Sequence, residues 1–305
     1  MKVDNAWLVR QLERPKGRVD VVVDTDTYNE IDDQYALAYL IKSEDKLNLQ
    51  AIYAAPFSNK KCALPGEGME KSYEEIMRIL TLMEREDLKK LVKRGSCEYL
   101  ADASTPVPSE AARDLVQRAM EHTPENPLYV IAIAVITNVV SAILMKPEIK
   151  ERIVVIWLGG QAHWWPENRE FNLIQDITAA RVLFGCGVPV VQLPCMGVVS
   201  QFRVSGPELE HHLRGKNKLC DYLVDVTVNE ALEDQGNVTW SRIIWDVTAV
   251  AWLLDERFEK DCLVHSPVPE YDDQYALNST NHLIKYVYHI ERDQLLADLF
   301  EKLTK

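Results

Sequence analysis

Between Val21 and Leu40 the chain reads VVVDTDTYNEIDDQYALAYL, with Asp24, Asp26, Glu30, Asp32 and Asp33 directly behind an apolar run. Carboxylates this close repel one another and raise each other's pKa unless a cation or hydrogen-bond donors compensate. A hard divalent cation accounts for the cluster economically, since Ca²⁺ takes about six to eight oxygens from flexible carboxylate and carbonyl ligands. The spacing is not that of an EF-hand: counted from Asp24, the sixth position is Asn29 instead of Gly and the twelfth is Tyr35 instead of Glu. Asp32 and Asp33 alone would also suit the positive end of a helix beginning near Gln34. That reading leaves Asp24 and Asp26 unexplained.

The elements that must position these groups are legible as alternating patterns. Short apolar, largely β-branched runs occur at RVDVVV (18 to 23), LQAIYAA (49 to 55), LYVIAIAV (128 to 135), IVVIWLGG (153 to 160) and VPVVQL (188 to 193). Such unbroken runs suit strands buried on both faces of a parallel sheet. Amphipathic segments lie between them, including SYEEIMRILTLMERE, SEAARDLVQRAMEH and DITAARVLFGCG, with Ser109 and Asp176 as N-caps and Gly185 or Gly187 as a stop. The expectation is an α/β fold, doubly wound around a mostly parallel central sheet. PELEHHLRGKNKLCDYLVDVTVNEAL and SRIIWDVTAVAWLLDERF read as helical, and LVHSPVPEYDDQYALNST as loop and short strands before a final helix. With no Gly/Ser linker, residues 1–305 are expected to form one domain with a helical C-terminal elaboration. In open α/β sheets the ligand sits beyond the C-terminal strand ends, which directs attention to Asp24 and Asp26, Ser58 and Asn59, Thr137 and Asn138, and Gln161 to Trp165.

Composition narrows the chemistry. The chain has 305 residues, 47% of them hydrophobic, enough for a substantial core. A formal charge of -13 with no Lys/Arg stripe argues against nucleic acid as a partner. Neither a signal-peptide h-region nor an apolar run of membrane-spanning length is seen, so a soluble, cytoplasmic protein with no membrane partner is expected. The six cysteines form no CxxC pair and suggest neither a zinc site nor a disulfide framework.

A strand-end DxD also opens phosphohydrolases of the haloacid dehalogenase type, in which the first Asp attacks phosphorus beside Mg²⁺. Those enzymes carry Thr or Val two residues on, where this chain has Tyr28, and no later lysine and acidic-pair motifs are found. Over most of its length the chain instead resembles the inosine/uridine-type nucleoside hydrolase family. The residues carrying the resemblance are Asp24 and Asp26, the pair Asp32 and Asp33 displaced by two extra residues, Asn59 in AAPFSNKK, Thr137-Asn138 in AIAVITN, Glu170-Phe171-Asn172, and Asp246 in IIWDVTAVAWLL. The hexapeptide DDQYAL recurs at 272 to 277, but without a preceding strand or a following apolar helix; chance explains it, and no metal is expected there.

The resemblance implies hydrolysis of the N-glycosidic bond of ribonucleosides, with Ca²⁺ held by Asp26, Asp33, Asp246 and the carbonyl of Ile133, and with Asp24 behind them. Independent chemistry agrees: cleavage passes through an oxocarbenium-like sugar, which nearby anions stabilise. Asp26 would take the proton of the attacking water. Asp32, Asn59, Glu170 and Asn172 would hold ribose hydroxyls. The insertion over Thr27 to Ile31 must loop out, and either Glu30 or Asn29 could replace an expected ligand. Trp164 stands where a sugar-binding Asn is expected, and Trp245 where inosine/uridine-preferring relatives place a His. Purine-preferring members resemble this chain in that Trp, which implies leaving-group activation by stacking, with Trp164 or Trp165 as a second wall. A small-molecule nucleoside partner and a homodimeric or homotetrameric assembly are expected. A non-catalytic member that binds a nucleoside or sugar is the alternative from another class.

Overall fold

The computed structural model describes residues 4–235 and 239–305. Its strands are β1 (Val19–Thr25), β2 (Leu47–Ala54), β3 (Val92–Arg94), β4 (Leu128–Ala132), β5 (Ile153–Leu158), β6 (Val190–Leu193), β7 (Arg203–Ser205), β8 (Ser241–Ile243), β9 (Glu259–His265), β10 (Val268–Pro269), β11 (Tyr275–Ala276) and β12 (Leu283–Ile290). Eight of them form one sheet in the order β3-β2-β1-β4-β5-β6-β12-β9. Every neighbouring pair is parallel except β12 with β9. The strand order reverses between β1 and β4, and ligands of open α/β sheets bind at such a switch point.

Alternation along each strand feeds two cores. Val21 and Val23 of β1, Ile131 of β4 and Ile156 of β5 join one apolar cluster, while Val22, Val130 and Val155 join the other. Helices α1 (Asn5–Gln11), α2 (Asp32–Ile41), α3 (Pro65–Leu82), α8 (Gly206–His212), α9 (Lys218–Gln235), α10 (Val247–Ala251) and α11 (Arg292–Thr304) cover the first face. The second is covered by α4 (Glu110–Met120), α5 (Thr137–Met145) and α7 (Ile177–Gly185). A short α6 (Phe171–Gln175) precedes α7. Both faces are therefore buried, as the unbroken apolar runs predict.

The caps fall where the sequence places them. Ser109 Oγ accepts the Ala112 N–H at 3.0 Å and Asp176 accepts that of Ala179 at 2.9 Å, and Gly187 follows the end of α7 with a φ of 79°.

The last third departs from expectation. SRIIWDVTAVAWLLDERF is not one helix: Ser241–Ile243 pairs antiparallel with β7, the Ile244 N–H donates to Phe202, and only Val247–Ala251 is helical. The β-branched Ile243 and Ile244 lie in or beside the ribbon, and the strand pairing overrides an apolar pattern that suits a helix. The eight-residue β12 joins the main sheet just ahead of the final helix, where the sequence pattern marks no long strand, and β3 adds a further edge.

Candidate active site

Asp26 leaves β1 one residue beyond its end, and the chain turns tightly, with the Asn29 N–H donating to the Asp26 carbonyl at 2.7 Å. Asp32 and Asp33 then form the first turn of α2, and Asp246 stands at the head of α10, which packs against α2. One oxygen each of Asp32, Asp33 and Asp246 lies within 4.8 Å of the others. All three side chains and that of Asp26 are buried.

Burial, then the charges of Asp33 and Asp32, push the Asp26 carboxyl well above the ordinary range. Asp32 and Asp246 are raised in the same way, by burial first and then by neighbouring carboxylates. Burial carries Asp33 to about 6, although the Thr25 hydroxyl donates to it. Asp26 Oδ2 has no hydrogen-bond partner among the described residues. Buried carboxylates left this poorly compensated fit a divalent cation, which removes both penalties at once.

Asp24 lies beneath, fully buried and raised by desolvation to about 7. Asn138 Nδ2 donates to it at 2.8 Å, while Asn138 Oδ1 takes the Ser96 N–H and hydroxyl at 2.7 and 2.9 Å. Thr137 donates to Asp176 at 2.7 Å, so the Thr-Asn turn braces β1 against α5 and α7.

A cleft partly open to solvent adjoins these groups. Of the residues predicted from sequence, Asp26, Asp32, Asp33, Ile133, Glu170, Asn172, Trp245 and Asp246 line it. Asn59 and Trp164 do not. Both polar ends of the Asn59 amide are engaged beside the cleft, to the Lys61 N–H and to Asn29. Trp164 is 68% exposed, and a Cβ on Gly197 would lie 2.9 Å from its ring. Trp245 is half-buried between β8 and α10, outside any helix.

Glu170 is more committed than its motif suggests. As N-cap of α6 it accepts the N–H groups of Asn172 and Leu173 at 2.8 and 2.9 Å, and it also takes that of Gly160 at 2.8 Å. The Cys195 thiol is a further hydrogen-bond partner. A carboxylate offers about four lone-pair directions, so these contacts occupy it.

The cleft is completed by Asn29, Glu30, Leu158, Gln161, Arg169, Phe171, Cys195 and Met196. Cys195 and Met196 follow β6, so extending the strand-end rule to the fifth run, VPVVQL, would have found them; Arg169 and Phe171 flank Glu170. In the second DDQYAL copy Tyr275 and Ala276 form β11, and Asp273 pairs with Arg169 at 3.1 Å. That copy places no carboxylate in the acidic group.

Comparisons with known proteins bear on the fold and the family. The chain is 25% identical over 241 residues to the pyrimidine-specific ribonucleoside hydrolase RihA of Citrobacter koseri, covering 69% of this chain and 76% of that protein. A plant nucleoside hydrolase, PpNRh1, superposes with a TM-score of 0.74 at 18% identity, over 94% of this chain and 99% of its own. A purine-preferring ribonucleoside hydrolase from Gardnerella vaginalis gives 0.73 at 17% identity, over 93% and 98%. The family model described as inosine-uridine preferring nucleoside hydrolase matches residues 21–294, so this chain belongs to that family of N-glycosyl hydrolases.

Proposed function

We propose that this chain is a Ca²⁺-dependent ribonucleoside hydrolase that prefers purine nucleosides. The observation carrying the reading is the buried acidic group, with an unpartnered Asp26 oxygen, in a cleft that Trp245 also lines. Asp26, Asp33, Asp246 and the Ile133 carbonyl would hold the cation, and Asp32 lies close enough to Asp33 and Asp246 to join them. When bound, the cation supplies Lewis-acid activation of a water nucleophile. Asp26 accepts the proton as that water attacks, and the acidic wall stabilises positive charge developing on the sugar. Asn172, which also lines the cleft, positions the sugar, its Nδ2 anchored to the Leu158 carbonyl at 3.0 Å.

The relatives' names divide on the base: RihA is pyrimidine-specific, whereas the Gardnerella enzyme is purine-preferring. Trp245 favours the purine reading, because an indole cannot act as an acid but can stack on a departing base; stacking is worth about 0.5–1.5 kcal/mol beyond burial. Base release from inosine, adenosine, guanosine, uridine and cytidine, with Ca²⁺ and after chelation, tests the proposal. Purines are expected to react faster, chelation to abolish turnover, Trp245→Ala to lower kcat, and Asp26→Asn to lower it roughly 10²- to 10⁴-fold. Faster uridine cleavage removes the purine preference, and full activity in chelator removes the cation. Tight nucleoside binding without turnover favours a non-catalytic member of the family.

A further inference from the structure

In DTDTYNEIDD the loop that follows β1 brings the Asn29 amide against that of Asn59. Asn59 Oδ1 accepts the backbone N–H of Lys61 at 2.6 Å, a donor that cannot be reversed, so Asn59 Nδ2 must donate. It does so to Asn29 Oδ1 at 2.8 Å. That contact in turn fixes the Asn29 amide, whose Nδ2 donates to no group among the described residues. The Asn29 backbone is held from both sides, its N–H on the Asp26 carbonyl at 2.7 Å and its carbonyl on Lys61 Nζ at 2.8 Å. Asn29 lines the cleft and Asn59 does not.

The cleft is rich in acceptors, with Gln161, Arg169 and Trp245 as its other N–H donors besides Asn29 and Asn172. Asp26, Glu30, Asp32, Asp33, Glu170 and Asp246 all contribute carboxyl groups, and ionised carboxylates only accept hydrogen bonds. A sugar hydroxyl both donates and accepts, so its oxygen needs an N–H. In the loop between Asp26 and Asp32, Asn29 Nδ2 has two N–H groups without a partner among the described residues. Asn172 already uses one of its own on Leu158.

We propose that Asn29, supplied by the extended loop, donates to a ribose hydroxyl that the acidic wall accepts from, and that Asn59 is the positioning residue that orients it. This rests on the ribonucleoside reading above and deepens it. The test compares kcat/KM for inosine and its 2′-deoxy and 3′-deoxy analogues in the holoenzyme and in the Asn29→Ala, Asn59→Ala and double variants. Asn29→Ala is expected to lower kcat/KM for inosine about tenfold, the scale of one lost hydrogen bond, and to leave one of the deoxy analogues unaffected. Asn59→Ala should cost less, and nothing further in the Asn29→Ala background. Equal losses on all three substrates, or additive losses in the double variant, overturn the proposal. If the unmodified protein cleaves no nucleoside, the ribonucleoside reading fails separately. Titration of D-ribose against the ¹⁵N side-chain amide signals then decides about Asn29: a shift confined to Asn29 and Asn59 supports the proposal, and unmoved signals at saturation overturn it.

Discussion

Glu170 shows how a residue can be found from sequence while its structural work goes unread. EFN marks the position, and the side chain does line the cleft, but three backbone N–H groups and the Cys195 thiol occupy its carboxylate. Its first duty is to cap α6 and tie the end of β5 to it through Gly160. Glu170→Gln turns an all-acceptor group into one that presents an NH₂ to backbone donors. The expected loss is about 1–3 kcal/mol of stability, the cost of weakening a buried charge-assisted cap. Urea denaturation of both proteins checks this; unchanged stability with a raised KM would return Glu170 to a role confined to the sugar. The acidic residues were easier to read, because carboxylates crowded at a strand end repel one another and persist only where a cation or donors offset the repulsion. Amide partners such as Asn29 and Asn59 depend on contacts about thirty positions apart, which spacing alone does not encode.

At the scale of elements, the buried parallel strands were legible because both faces of each are apolar, and Ser109 and Asp176 were legible because caps are local. The edges were not. β3 is three residues long and β12 alternates only in part, so their pairing with β2, β6 and β9 is a property of the assembled sheet. Just past β3, a Cβ on Gly95 would lie 2.1 Å from the Ala54 carbonyl oxygen and 2.4 Å from Asn138 Nδ2. The first of these is backbone and the second is the amide that holds Asp24, so neither yields without moving β2 or the Asp24 clamp. Gly95→Ala is therefore expected to destabilise the fold by roughly 1–3 kcal/mol, the usual range for overpacking a tight site, and, on the proposed Ca²⁺ reading, to weaken Ca²⁺ binding as Asp24 shifts. Thermal unfolding with and without Ca²⁺ measures both effects. A Gly95→Ala protein with unchanged Tm and calcium response would show that this approach is not tight.

Across the whole molecule, the formal charge of -13 counts every carboxyl group as ionised, although burial works against ionisation at several of them. Away from the cleft the clearest is Glu259, the first residue of β9, where both carboxyl oxygens are buried without a hydrogen-bond partner among the described residues. Desolvation raises it to about 8. The Arg14 charge opposes that shift and the Asp261 charge adds to it, while the Arg14 guanidinium itself donates to Asp261 and to the Trp252 and Glu259 carbonyls. Between pH 4.5 and 8 the folded chain thus holds a proton that the unfolded chain releases. The sign follows: this contribution is fully present below pH 4.5, falls as pH rises, and is gone once pH passes about 8. Glu259→Gln keeps the shape and cannot ionise. It should lag or match the unmodified protein near pH 5 and overtake it by pH 9, the relative gain being of the order of a few kcal/mol. The acidic cleft titrates in both proteins, so the difference between their urea-denaturation free energies at pH 5, 7 and 9 isolates this one group. A difference that stays constant over that range would mean that Glu259 ionises alike in the folded and unfolded chains.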